Sequence, residues 1–203
     1  MKFFNSKFAP NARRVRIFMA EKTFVVPWVD VDLGNMEHKT EAFSAINPFL
    51  RVPCLALDDG DILCESIAIC RYIEALRPEP ALFGRNPKQM AFIEMWQRQI
   101  EFYLFQPVAL AFRHSHPAMK LLENPQIAEL AAVSKPRALE AMAVIDRVLK
   151  DKRYIAGDDY SVADITGLVA MDFTKQARIE TPVEFANIIR WHKELLARPS
   201  ATA

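Results

Sequence analysis

Apolar residues along this chain follow two different rhythms. In the first third, short apolar runs alternate with stretches in which apolar positions recur every three or four residues. Residues 2–5 form a short apolar run, which predicts a strand. Val15, Phe18 and Met19 share one face of a predicted helix, whose other face carries Arg13, Arg14 and Arg16 and reads as solvated. Phe24 to Val31 predicts a second strand, and Pro27 inside it points to a sheet edge. Glu41 to Ile46 reads as a short helix that ends before Asn47-Pro48, because the residue preceding a proline avoids the helical region. Two short runs, Cys54 to Leu57 and Ile62 to Cys64, flank Asp59-Gly60, a hairpin signal. Ile69, Ile73 and Leu76 then mark a helix that starts at Ser66.

The predicted order βαβαββα describes an α/β thioredoxin-like N-terminal domain, residues 1–78. Arg77-Pro78-Glu79-Pro80 reads as a linker. Beyond it almost nothing resembles a strand, so residues 85–203 are expected to form an all-α helical domain. Pro87 suits the first turn of a long helix reaching Phe112, with Met90, Ile93, Trp96 and Ile100 at helical spacing. Pro107 falls within it and predicts a kink or break. Ile127 to Leu149 predicts a second long helix, with a further kink expected at Pro136. Ser161-Val162-Ala163-Asp164 has the spacing of a helix N-cap. A last helix, about Glu184 to Ala197, carries Ile188, Trp191 and Leu195; His192 on it reads as a surface residue.

Composition narrows the function classes. Hydrophobic residues make up 51% of the 203, enough for a packed core. A net charge of +1 argues against nucleic-acid binding through bulk charge. No apolar run approaches the ~20 residues of a membrane span. The N-terminal residues lack a secretory-signal pattern. Cys54, Cys64 and Cys70, an odd number in apolar surroundings, point to a reducing compartment, so a cytoplasmic location is expected. No spacing of histidines, cysteines or acids matches a metal motif.

The chemistry gathers in residues 47–72. Pro53 cannot donate a backbone hydrogen bond; a cis bond before it would turn the backbone of Val52 toward an extended peptide. Ser66 stands at a helix start, where free N–H groups favour a carboxylate, and Glu65 precedes it. These groups suit a small peptide held along its backbone and at one carboxylate end. The ordered combination Val52-Pro53, hairpin, Glu65-Ser66 resembles the glutathione site of cytosolic glutathione transferases. Tyr154 to Asp158 followed by Ser161 to Ile165 is similar to the buried capping motif of that family's helical domain. Ala9-Pro10-Asn11 ahead of Arg13 to Arg16 resembles a bacterial and fungal subgroup.

The resemblance implies a cis Pro53, backbone pairing by Val52, and a γ-glutamyl end held by Glu65 and Ser66. It also implies a cation for the glycine carboxylate, either His38 or Lys39. Glutathione would be the cosubstrate and no metal is needed. The helical domain would contribute a hydrophobic pocket for small electrophiles, the role would be detoxification, and the protein would be a homodimer, with Met90, Met95 and Trp96 as core or interface. Nucleic acid and membrane are not expected partners. The usual catalytic residue is missing: Ala9 stands where the resemblance places a Ser or Cys, and there is no Tyr around Asn5 where other classes place theirs. Ser6 and Asn11 remain as donors near the thiol, and His114-Ser115, with His116 as the alternative, could hold an activating water. The rival readings are a transferase-fold binding or assembly protein without conjugation chemistry, and a glutathione-dependent lyase or peroxidase.

Overall fold

A computed structural model describes residues 1–203. It divides into two compact units, Met1–Leu82 with Thr202–Ala203, and Phe83–Ala201. In the first, strands β1 (Lys2–Asn5), β2 (Trp28–Asp30), β3 (Cys54–Ala56) and β4 (Ile62–Cys64) form one sheet of order β2-β1-β3-β4. Helix α1 (Pro10–Glu21) makes the crossover that lets β2 run parallel to β1, and β3 and β4 follow as an antiparallel hairpin. A short helix α2 (Glu41–Ser44) is capped by Thr40, whose hydroxyl accepts from the Phe43 N–H at 3.2 Å. Helix α3 (Ser66–Leu76) packs against α1.

The predicted order therefore holds, with three differences. The second strand is shorter than the apolar run suggested and all three of its residues are exposed; it starts only after Pro27, whose carbonyl accepts from Phe3 N–H. It does lie at the edge. Leu76, expected on the packed face of α3, is 46% exposed while Ile69 and Ile73 are fully buried. The proline-rich segment at 77–80 is part of the first unit, because buried Lys22 reaches the carbonyls of Pro78 and Pro80 and pairs with Glu74 at 2.5 Å.

The arginine-rich helix is the clearest departure. Arg14 is completely buried and Arg16 is 6% exposed, so they do not form the solvated face that the pattern predicted. Each has polar partners within the unit. Arg14 Nη1 donates to Ser66 Oγ at 2.8 Å; Arg16 donates to Asn5 Oδ1 at 2.6 Å and to the carbonyls of Ser6 and Lys7. Burial, and next the charge of Arg13, lower the Arg16 pKa.

The second unit is helical. Helix α4 (Pro87–Gln99), a π-helical turn (Ile100–Phe105) and α5 (Gln106–Ser115) run end to end. Pro107 does not break this run. Lacking an N–H and clashing with the preceding turn, a proline is accommodated by the wider π turn just ahead of it. Helix α6 (Ala128–Leu149) likewise continues through Pro136. Ala132, whose carbonyl loses its helical partner there, is exposed, so that oxygen is on the solvent side. Helix α7 (Val162–Ala177) is buried along most of its length, and Thr166 on it donates to Gln97 Oε1 at 2.6 Å. Asp146 of α6 caps α8 (Ala186–Leu196), accepting from the N–H groups of Asn187 and Ile188. Gly167 lets Trp191 pack closely: a Cβ there would lie 2.2 Å from the indole. His192 is half-buried and meets Asp172 at 2.7 Å; it is more enclosed than the sequence suggested.

The Ser161 and Asp164 capping box is present and deeply buried. The Asp164 carboxylate accepts from Ile155 N–H, Ser161 N–H, Ser161 Oγ and Trp191 Nε1, tying the turn before α7 to α8. Burial pushes its pKa up to about 6, against the pull of those donors. A raised carboxyl pKa means that the folded state binds the proton more tightly than the unfolded chain. The stability contributed by that proton is complete below about pH 4 and is lost as pH rises through 6, a change of about 3 kcal/mol. Urea unfolding at several pH values should show this decline in the parent protein and a flatter profile in Asp164→Asn. Ser161→Ala should cost about 1 kcal/mol at every pH. Identical pH profiles for the parent and Asp164→Asn would contradict the assignment.

Candidate functional site

Register decides where the candidate residues fall. Phe4 pairs with Cys54, and Cys54 pairs with Cys64, so these three residues form one row across β1, β3 and β4. Beyond that row, at the same sheet end, β1 continues into Asn5 and Ser6 and then the start of α1. Strand β3 is entered there through Val52 and Pro53. Strand β4 leaves there into Glu65 and Ser66. Asn5 also pairs with Asp30 at the end of β2, so the segment leading to His38 departs from the same edge. Val52, Pro53, Glu65, Ser66, Ser6 and Asn11 are thus gathered by topology alone. From β1 to β4 is two strand spacings, about 9.5 Å. An extended tripeptide covers about 10 Å.

The Val52-Pro53 bond is cis, as the resemblance implied. The loop before it is held by Asn47, whose amide donates to Arg51 O at 2.8 Å and whose Oδ1 accepts from Phe49 N–H. Cys54 Sγ adds a bond to the same Arg51 carbonyl at 3.3 Å. Glu65 has φ +71° and ψ 119°, a conformation that costs about 1–3 kcal/mol in a residue with a side chain. It turns the chain out of β4 directly into α3, leaving the N–H groups of the first turn at the sheet end.

Ser66 is buried at that helix start. Its hydroxyl accepts from Arg14, and a hydroxyl has a single proton. With the guanidinium donating to Oγ, that proton is free to donate elsewhere, toward an acceptor such as a carboxylate. A buried cation, a helix N-terminus and an oriented hydroxyl all favour negative charge here.

Helix α1 begins at the same sheet end without a side-chain cap. Ala9 occupies the cap position, Pro10 the first turn, and the first intrahelical bond is Arg13 N–H to Ala9 O at 3.0 Å. The N–H groups of Asn11 and Ala12 precede it. Ser6 is buried and Asn11 half-buried; the Ser6 carbonyl is taken by Arg16 and by Ala9 N–H. His38 lies in a short 3₁₀ turn, Glu37–Lys39, and is 2% exposed, with Nδ1 buried and without a hydrogen-bond partner. Burial foremost, then Lys39 and Arg51, lower its pKa, so it is neutral at pH 7. Lys39 is exposed.

His114, Ser115 and His116 belong to the helical unit and have local partners. His114 Nδ1 accepts from the Ile127 N–H at 3.2 Å, which leaves Nε2 as the protonated nitrogen of the neutral ring. Ser115 donates to Ala111 O at 2.6 Å, and His116 accepts from Ala118 N–H and packs on Phe112. The helical unit also has a groove of about 810 Å³ between the α4–α5 run and α6, lined by Met95, Phe102, Tyr103, Arg137, Glu140 and Val144 among others.

Periodicity missed Arg14 and Arg51. A burial test of the arginines was not available from spacing, although Arg14 lies one helical turn from Pro10 and Val15 beside it is buried. Arg51 had a local signal: it immediately precedes the Val52-Pro53 step.

Against known proteins, the sequence matches the family model described as "Glutathione S-transferase, N-terminal domain" over residues 8–76 and "Glutathione S-transferase, C-terminal domain" over residues 103–199. The chain belongs to the glutathione S-transferase family. It is similar to "Glutathione S-transferase 2" of Saccharomyces cerevisiae, 35% identical over 98% of this chain and 87% of that protein. Among solved structures, Gtt2 from Saccharomyces cerevisiae superposes with a TM-score of 0.95 at 35% identity, covering 100% of this chain and 99% of that one. A glutathione S-transferase domain-containing protein from Marinobacter aquaeolei VT8 gives 0.95 at 34%, covering 99% and 100%. This glutathione transferase keeps the family's mixed four-stranded sheet and helical second unit. No helix in it is long and apolar enough to cross a membrane.

Proposed function

We propose that the protein conjugates the thiolate of glutathione to small hydrophobic electrophiles in the cytoplasm, a detoxification role. The observation that carries this reading is the sheet end where a cis Val52-Pro53 bond, a strained Glu65 and a buried Arg14–Ser66 pair meet. The cysteinyl backbone pairs with Val52 in this reading, Glu65 takes the γ-glutamyl ammonium, and Ser66 with the α3 N-terminus takes the γ-glutamyl carboxylate. His38, neutral and buried, donates a hydrogen bond to the glycine carboxylate, while Lys39 and Arg51 supply positive charge.

Thiolate stabilisation is assigned first to the uncapped N-terminus of α1. The Asn11 and Ala12 N–H groups and the Asn11 and Ser6 side chains are the donors, and the helix dipole adds a positive field. The second reading gives a water-holding role to His114 and Ser115, with His116 as the alternative. It is favoured by the acceptor capacity that Ser115 Oγ keeps after donating to Ala111.

The groove of the helical unit is assigned to a second copy of the chain. Met95, Phe102, Tyr103 and Val144, all in its lining, are large hydrophobic side chains left exposed in one chain. Arg137 and Glu140 stand one turn apart on α6, so a two-fold operation can set each against the other.

Ser66→Ala should weaken glutathione binding by about 1–3 kcal/mol in calorimetry, and Arg14→Met should do so as well. Because Arg14 is proposed to act through Ser66, the double variant should lose less than the sum. Full additivity with an intact fold would contradict that coupling.

Asn11→Ala should raise the pKa of bound thiol, followed by thiolate absorbance across pH, and lower turnover with an aryl halide. His114→Ala and Ser115→Ala should leave both near the parent values. A drop of roughly 10²–10⁴-fold in turnover for His114→Ala, with glutathione affinity retained, would move the assignment to the helical domain.

Sedimentation at micromolar concentration should give a dimer, and Val144→Glu should give a folded monomer. A parent protein that sediments as a monomer would overturn the dimer.

A further inference from the structure

Cys54 and Cys64 have no part in the chemistry above, yet they sit in the row of residues that anchors the site. They are direct partners across β3 and β4, with Sγ atoms 3.8 Å apart. Directly opposed antiparallel residues have Cα atoms about 4.5–5.5 Å apart, within the ~4.4–6.8 Å that a disulfide spans. The bond can therefore close largely by rotation of side chains. Accessibility sets an order: Cys64 is half-buried and Cys54 fully buried. Burial also pushes the Cys54 thiol up to about 12, which disfavours it as the first nucleophile.

Both sulfurs adjoin the glutathione-binding segments. Cys54 follows Pro53, donates to Arg51 O at 3.3 Å and accepts from Asn47 Nδ2 at 3.6 Å, two bonds that hold the loop carrying Val52. Cys64 precedes the strained Glu65 and lies 4.0 Å from Ile46 O. A disulfide removes the Cys54 S–H and with it the bond to Arg51.

We propose that Cys54 and Cys64 form a dithiol site that hydroperoxides oxidise to a reversible disulfide, loosening the Val52 loop and lowering affinity for glutathione. The affinity half rests on the binding site assigned above. In the first step the Cys64 thiolate attacks one peroxide oxygen. The O–O bond breaks, the other oxygen leaves as an alcohol or water after taking a proton, and Cys64 becomes a sulfenic acid. In the second, the Cys54 sulfur attacks the Cys64 sulfur, the S–O bond breaks, and the hydroxyl leaves as water with the Cys54 proton. Two electrons pass from the thiols to the peroxide. A disulfide between neighbouring strands near the surface is of the labile kind that dithiols reduce.

The test treats the reduced, glutathione-free protein with stoichiometric hydrogen peroxide and follows intact mass. Loss of two hydrogens, reversed by dithiothreitol, is expected in the parent and in Cys70→Ala, and absent in Cys54→Ala and Cys64→Ala. Gain of oxygen without that loss, or loss that persists in Cys64→Ala, overturns the bond. Affinity is then read with S-methylglutathione, which cannot reduce the disulfide, and should be about fivefold or more weaker in the oxidised parent, the scale of one lost hydrogen bond. Equal affinity of the two forms overturns the coupling to the site. Reduced protein that binds no S-methylglutathione overturns the site assignment and the affinity half together, while the mass measurement still decides the bond.

Discussion

The pairing of Phe4 with Cys54 and of Cys54 with Cys64 is the constraint on which the first unit depends. Three strands end or begin beyond that row, and each hands its neighbouring residues to the same sheet end. A slip of one residue in either pairing would reverse the faces of a strand, and a slip between β3 and β4 would also move Val52-Pro53 away from Glu65-Ser66. The buried cluster of Val31, Phe43 and Cys54 on one face makes such a slip costly. Position of the site is thus a consequence of core packing.

Charge is arranged on that scaffold from below. Arg14 and Arg16 are buried under the site's two helix starts and loops, and neither reaches outward as a free cation. Burying a guanidinium is unfavourable unless its donors are used; Arg16 donates to Asn5 and two carbonyls, and Arg14 donates through Nη1 to Ser66. The result is a rigid positive field behind Ser66 and a fixed loop in front of α1. Such preorganisation suits a ligand carrying carboxylates and a thiol, because little has to be reordered when it arrives.

Much of this was legible in the sequence where the signal was local. The order of elements followed from hydrophobic period, and the Val52-Pro53 and Glu65-Ser66 pairs stood out because proline and a helix-start serine each impose a backbone requirement. The Ser161–Asp164 cap was legible for the same reason. Tertiary burial was not. Arg14 and Arg16 look like a solvated face to any periodicity argument, since their partners Ser66 and Asn5 are far along the chain or on another element. Pro107 predicts a kink or break and Pro136 a kink, but the helical runs continue through both, helped by a π turn ahead of the first and a solvent-facing carbonyl at the second. The resemblance names His38 or Lys39 as a cation without separating them; the burial of His38 comes with the 3₁₀ turn, which no short pattern announces. The partner of His114, the Ile127 N–H, depends on the path between α5 and α6, which spacing alone does not define.

The central claim is that the α3 start, with Ser66 oriented by Arg14, recognises the γ-glutamyl carboxylate. Titration calorimetry with S-methylglutathione and with its analogue lacking only that carboxylate tests it most directly. The account predicts that the parent protein binds the analogue at least about tenfold more weakly, as expected for losing a charged hydrogen-bond partner, and that Ser66→Ala narrows the difference. Equal affinity of the parent protein for the two ligands would contradict it.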